Sequence, residues 1–328
     1  MSIFLPFLRG LAGFFFLILV LYLFLFGQTF NKIQIPEIYL NQLTILLSIV
    51  MEAIPFILLG VFVSAVLQNF VSEEAVQRFF SKKGFLLLLP AALLGIIFPI
   101  CECGIIPVVR RLIKKGMPAY LGITVLAAVP IINPVVFFST IYAFQTKPEF
   151  AFYRTGLALA ASLILGLISY LLFSNQNVLR THTGDLEKGG QHGANKWKNV
   201  FYHAVDEFFD TGKYLIIGAL LASFFQTFMN REWLASLGTN DHISPLLMMG
   251  LSFLLSVCSE SDAFIGRTFL QTFSDGSILA FLVFGPMLDF KNTIMLFKYF
   301  KTRYVLFLMI LMVIVVYSII IIFQKFYL

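Results

Sequence analysis

Long apolar runs separated by short polar interruptions dominate the chain. A helix rising about 1.5 Å per residue needs about 20 apolar residues to cross a hydrocarbon layer of roughly 30 Å. Nine stretches approach that length: residues 11–26, 42–68, 85–109, 120–144, 152–173, 212–229, 245–265, 278–297 and 304–323. The third, fourth, seventh and eighth carry helix breakers or polar residues in their interiors. The pattern predicts an all-α polytopic membrane protein of about nine transmembrane segments. Arg9 before the first run resembles the start of a signal peptide. No small-x-small cleavage site follows, so the first run reads as a retained span.

Composition agrees with that solvent. Hydrophobic residues make up 59% of the 328 and charged residues only 12%, where a soluble domain carries about 25% charged. The net charge of +6 then reads as anchoring at anionic lipid, with no nucleic acid as partner. Basic residues at span ends suggest an orientation, because Lys and Arg concentrate on the cytoplasmic side. RRLIKK at 110–115 and the loop 174–199, with Arg180, Lys188, Lys196 and Lys198, are two spans apart and so share a side. This reading leaves Arg78, Lys82, Lys83, Lys298, Lys301 and Arg303 at outer ends. The expected location is the bacterial plasma (inner) membrane, with lipid as the constant partner and a homo-oligomer compatible with it.

The chain also matches itself. Gly60 meets Gly218, Gln68 meets Gln226 and Glu52 meets Asp210 at a shift of 158 residues. Cys101 meets Cys258, Cys103 meets Glu260 and Arg110 meets Arg267 at 157, and Pro130 meets Pro286 and Asn133 meets Asp289 at 156. Polar residues recurring in order at nearly one spacing predict two homologous four-segment halves with broken helices at the centre. The boundaries are 1–41 for an extra N-terminal span and connection, 42–173 for one repeat, 174–204 for a cytoplasmic polar linker and 205–328 for the second repeat. Four full spans per half would make the copies parallel, whereas one re-entrant segment per half would invert them.

The densest chemistry lies in FPICECGIIP, residues 98–107. Residues two apart on a regular helix point away from each other, but on extended backbone they share a face. Pro99, Gly104 and Pro107 around Cys101 and Cys103 predict an unwound segment there. Such backbone is tolerated at membrane depth only when protein or a water-filled cavity surrounds it. The third cysteine, Cys258 in SVCSESDAF, is the repeat partner of Cys101. Thiolates select soft ions, so Cys101, Cys103 and Cys258 are candidate metal ligands. Three thiols fall short of a tetrahedral set, and buried packing or a strained Cys101–Cys103 disulfide are the plainer alternatives.

Intramembrane carboxylates by default mark a pathway, a proton relay or a partner cation. Glu102, Glu260 and Asp262 flank the cysteines; Glu52 and Asp210 near span starts read as interfacial. A second pair of breaks is expected in AAVPIINPVV, with Pro130, Asn133 and Pro134, and in FGPMLDFKN, with Pro286, Asp289 and Lys291. Asp289 has Lys291 or Lys298 as partners. Arg110 and Arg267 read as interface anchors. His182, His192 and His203 fall in or beside a Gly-rich solvated linker. No phosphate-cradling motif and no protease triad appears.

Taken together, FPICECGIIPVVRRLIKKG, AAVPIINPVV, SVCSESDAFI and FGPMLDFKN resemble the bacterial predicted-permease family of the YraQ type. That family is related to the organoarsenical exporter ArsP and to Cu/Zn efflux permeases. The resemblance runs from about residue 42 to 323 and implies an inner-membrane permease with the cysteines on its translocation route. It places Cys101, Cys103, Pro107, Pro130, Asn133, Pro134, Cys258, Glu260, Asp262, Pro286, Asp289 and Lys291 in family-motif positions. The leading expectation is export of a soft metal ion or metalloid, with no tightly bound cofactor and with carboxylates available for proton coupling. The alternatives are a permease for an unrelated small solute and a membrane thiol-redox enzyme.

Overall fold

The computed structural model describes residues 36–80, 84–98, 100–173, 178–180, 196–228 and 243–327. The expected first span, His182, His192, Pro99 and the side chain of His203 lie outside the described residues. Contacts divide the chain into Met1–Leu43 and Thr44–Leu328, and the helical bundle is the second of these units.

The described residues are helical, apart from turns and one isolated bridge between Leu179 and Phe300. The helices are α1 (Glu37–Phe70), α2 (Glu73–Phe80), α3 (Leu88–Ala92), α4 (Leu94–Ile97), α5 (Glu102–Lys114), α6 (Ala119–Ala128), α7 (Pro134–Ala143) and α8 (Glu149–Phe173). They continue as α9 (Lys196–Phe228), α10 (Ile243–Leu255), α11 (Asp262–Thr268), α12 (Asp275–Met287), α13 (Phe290–Tyr299) and α14 (Thr302–Tyr327). A 3₁₀ turn, Gly84–Leu87, leads into α3. Among the described residues, five stretches are long and apolar enough to cross a membrane: α1, α8, α9 from Val200, α12 with α13, and α14.

Their burial sorts them. Of the most apolar part of Asp275–Tyr299, 89% is buried, against 22% to 39% for the other four. The α12–α13 span is therefore the centre of the bundle. Outer helices turn residues such as Leu171 and Ile310 outward, where lipid is the solvent that accepts them.

Two apolar stretches expected to cross turn back halfway. In the second half, Ser277 donates to Ser244 at 2.8 Å, and a methyl on Gly285 would meet Ser252 Cβ at 3.2 Å. α10 and α12 therefore start at the same end and run parallel. At the far end of α10 the backbone N–H of Phe290 donates to Ser256 Oγ at 2.9 Å. α11 then runs back, because Gly266 faces Leu282 and Ile278 of α12. The stretch 243–268 is a re-entrant hairpin. The first half repeats this from the other end: Tyr120 donates to the Gly84 carbonyl at 3.3 Å, and Gly95 packs on Val129 and Ile132. Gly122 meets Val109 and Ile113 as α5 returns. The stretch 84–114 is the second hairpin.

Each half therefore has a crossing helix, a hairpin, a broken crossing helix and a crossing helix. Three crossings is an odd number, so the two halves run in opposite directions. At about 1.5 Å per residue, α5 and α12 span roughly 20 Å and α7 and α13 roughly 15 Å, so both hairpin tips and both breaks sit near mid-depth.

The hairpins also correct the side expected for several basic residues. Lys115 Nζ donates to the carbonyls of Gln68, at 2.9 Å, and Val71, and Gly116 faces Gln77. The Arg180 N–H donates to the Tyr299 carbonyl and the Lys301 N–H to that of Val178, both at 3.0 Å. Arg78, Lys115, Arg180, Lys298, Lys301 and Arg303 therefore share one end of the bundle. An outer position for Arg78, Lys298, Lys301 and Arg303 requires each hairpin to be a full crossing, which it is not. Lys147 pairs with Asp275 at the opposite end.

Candidate functional site

The two tips are built alike. The Cys101 carbonyl accepts from the N–H groups of Gly104 and Ile105, at 3.1 and 3.2 Å, and opens α5. The Cys258 carbonyl accepts from those of Ser261 and Asp262, at 2.9 and 3.0 Å, and opens α11. Cys101 is extended, at φ −72° and ψ 171°, whereas Cys103 already lies in the first turn of α5. The unwound segment is thus shorter than the prolines suggest.

Two of the expected breakers lie within α5. Pro107 sits in its interior, where it has no N–H to donate to the Cys103 carbonyl, and the helix continues. Gly104 serves close packing instead: a methyl on Gly60 of α1 would stand 2.6 Å from Gly104 Cα. Pro286 is the penultimate residue of α12, just before its end. Pro130 lies in the turn between α6 and α7, and Pro134 opens α7.

The breaks in the crossing helices are closed by matching caps. The Asn133 side chain accepts from the Val135 N–H at 2.9 Å, with Pro134 at the first helical position. The Asp289 Oδ1 accepts from the Asn292 N–H at 2.6 Å. A side chain at each break takes up a backbone donor that would otherwise be orphaned in an apolar solvent.

All three cysteines are buried free thiols. Cys101 and Cys103 lie within hydrogen-bonding reach of each other, with Cys258 and Glu102 nearby. Among the described residues, no group of three or more His, Cys, Asp or Glu side chains is arranged to hold a metal ion.

Lys291 is wholly buried beside the thiols. Its ammonium donates to Glu102 Oε1 at 3.1 Å and to the Ser256 carbonyl at 2.8 Å, and lies 2.8 Å from Asp289 Oδ2. The Lys291–Glu102 pair joins the halves. Ser259 reaches Glu102 and Glu260, each at 3.4 Å, and Ser261 donates to Glu52 at 2.8 Å. Glu52, whose place in the sequence suggests an interfacial role, is therefore in contact with the second hairpin tip. Asp210 keeps that role, half exposed and paired with Lys298 at 2.6 Å.

Arg154 is a site residue that the sequence reading does not single out. It is 1% exposed and enters from α8. It donates to Asp262 Oδ2 at 2.7 Å, the Ser259 carbonyl at 3.2 Å and Thr140 Oγ1 at 2.9 Å. The available signal is a guanidinium within FAFYRTGLAL, since an isolated charge in an apolar run needs a partner. Glu207 is likewise new; it pairs with Arg110 and Arg111 at 3.6 and 3.2 Å. Arg110 stacks over Tyr299, whereas its sequence counterpart Arg267 is exposed.

This arrangement of hairpin tips, capped breaks and buried ion pairs is that of a multi-pass membrane protein with a polar centre. Comparison with known proteins agrees. A Bacillus subtilis protein named UPF0718 protein YcgR is 48% identical over 279 residues, covering 85% of this chain and 95% of that relative. A Streptococcus mutans protein named "Putative two-component membrane permease complex subunit" is 39% identical over 276 residues, covering 83% of this chain and 91% of the relative. No solved structure matches. The family model described as predicted permease matches residues 39–324, and the chain belongs to that family.

Proposed function

We propose that the chain is a secondary permease that exports a thiol-seeking metal ion or metalloid, of the organoarsenical, copper or zinc class, by alternating access between the hairpin tips. One observation carries the reading: every thiol of the chain, drawn from both halves, sits buried and free where two oppositely inserted hairpins meet. Thiolates favour soft ions, and three ligands, one short of a closed tetrahedral cage, suit a cargo that must be released. Binding at mid-membrane between inverted repeats, on discontinuous helices, is the common build of secondary transporters. The recurrence at 156 to 158 residues and the opposed halves together support a duplicated, inverted origin. The basic end is proposed to face the cytoplasm of a bacterial inner membrane. The name of the Streptococcus relative makes a second polypeptide a candidate partner.

The test is survival of a sensitive bacterial host challenged with arsenite, methylated arsenic, copper or zinc. The intact chain is expected to confer resistance to at least one. Cys101→Ser and Cys103→Ser are expected to abolish it with unchanged protein in the membrane. Full resistance in both variants would remove the thiols from the mechanism. A second reading, a permease for another small solute with cysteines that only pack, draws on the lack of an assembled metal-binding group among the described residues.

A further inference from the structure

Three oxygens from three different breaks converge beside the thiols: the Glu102 carboxylate at the first hairpin tip, the Asp289 carboxylate at the start of α13, and the Ser256 carbonyl at the second tip. A cation, the Lys291 ammonium, already occupies the point where they meet. Ser256 has φ 49°, a left-handed conformation rare outside glycine, and it stands at the end of a half-helix. Its carbonyl thereby points at Lys291. Carbonyls of unwound backbone and half-helix ends are the groups that coordinate small cations in transporters.

Two further observations concern charge. Counted over these three side chains alone, one ammonium against two carboxylates leaves one formal negative charge, and an uncompensated charge in an apolar interior is costly. Asp289 Oδ2, on a residue 1% exposed, has Lys291 Nζ at 2.8 Å and no other polar partner among the described residues. A carboxylate oxygen accepts more than one bond, so beside the ammonium a lone pair is left for another ligand.

We propose that Glu102, Asp289 and the Ser256 carbonyl form a binding site for one small hard cation of the sodium class, which displaces Lys291 from Asp289 and Ser256 while Lys291 keeps Glu102. Two carboxylates, one ammonium and one monovalent cation then sum to zero. The donor set is all oxygen, which suits a hard ion and separates this site from the neighbouring sulfurs. Lys291 is a tethered competitor that fills the site when the ion is absent. Its flexible four-carbon stem allows that exchange. Describing the ion as the coupling ion rests on the permease reading; the site itself does not.

The experiment is equilibrium binding of radiolabelled sodium to the purified full-length protein in detergent, with choline holding ionic strength constant. Saturable binding is expected in the intact chain. Lys291→Met, which removes the competitor, is expected to bind at least about tenfold tighter, and Asp289→Asn to lose binding. Asp289 also caps α13, so Glu102→Gln is run in parallel; it leaves that cap intact and is expected to weaken binding about tenfold, because Lys291 then holds Asp289 alone. No saturable sodium binding in either the intact chain or Lys291→Met overturns the proposal, as does unaltered affinity in both carboxylate variants. Resistance that survives thiol substitution, with sodium binding intact, removes only the soft-metal reading.

Discussion

The Arg154–Asp262 pair offers the most direct test of the architecture, because it ties a crossing helix of one half to the hairpin tip of the other. Arg154→Met removes three donated hydrogen bonds, at 2.7, 2.9 and 3.2 Å, and leaves the Asp262 carboxylate, 3% exposed, without its counter-ion. Removing one partner of a buried ion pair costs about 3 to 5 kcal/mol, much of it from the charge left behind. Total stabilities run at about 5 to 15 kcal/mol, so this is a large fraction. The double variant Arg154→Met with Asp262→Leu removes the orphaned charge as well, and is expected to recover at least about 2 kcal/mol relative to the single variant. Unfolding of purified protein in mixed micelles gives the free energies. Maleimide modification of Cys258, four residues before Asp262, gives an independent reading of whether the tip has loosened. A single variant within about 0.5 kcal/mol of the intact chain, the range of inconsequential surface substitutions, would show that the pair does not hold the tip. A double variant no better than the single would refute the orphaned-charge argument.

Packing predicts opposite signs for two glycine substitutions, one against the other tip and one on the open face of α8. Gly60→Ala pushes a methyl to 2.6 Å from Gly104 Cα, which cannot yield without moving α5, and is expected to destabilise by about 1 to 3 kcal/mol in the same unfolding assay. Gly156→Ala meets nothing within 4 Å and is expected to stabilise α8 by about 0.5 to 1 kcal/mol. The hairpin topology predicts that reporter cysteines at Arg180 and Lys301 are modified by an impermeant maleimide from one side of the membrane and a reporter at Lys147 from the other. Modification of the first two from opposite sides would restore full crossings in place of the hairpins.

The places where helices stop are legible in the sequence, because their chemistry is local. Asn133 before Pro134, and Asp289 before a new helix, announce caps that a reader can find from neighbouring residues alone. The direction of the chain after a stop is not legible. Residues 85–109 and 245–265 have the length and apolarity of spans, and hydropathy cannot distinguish a helix that continues from one that folds back. Partnerships are hidden for a similar reason: Arg154 and Asp262 are 108 residues apart and Lys291 and Glu102 189 apart, so no local pattern joins them. Pro107 misleads in the other direction. In water its missing donor would favour ending the helix, but in an apolar surround an intact ladder around one lost bond leaves fewer backbone groups exposed.

Ser256 binds two moving parts into one. Its backbone terminates α10, its hydroxyl accepts from the N–H groups of Phe290 and Lys291 at 2.9 and 3.3 Å to start α13, and its carbonyl holds the Lys291 ammonium. A displacement of α13 along its axis therefore drags the neighbouring hairpin with it, through a linkage one residue long. The second half is geared as a single lever, and the first grips that lever through side chains, Glu102 on Lys291 and Arg110 on Tyr299, rather than through backbone.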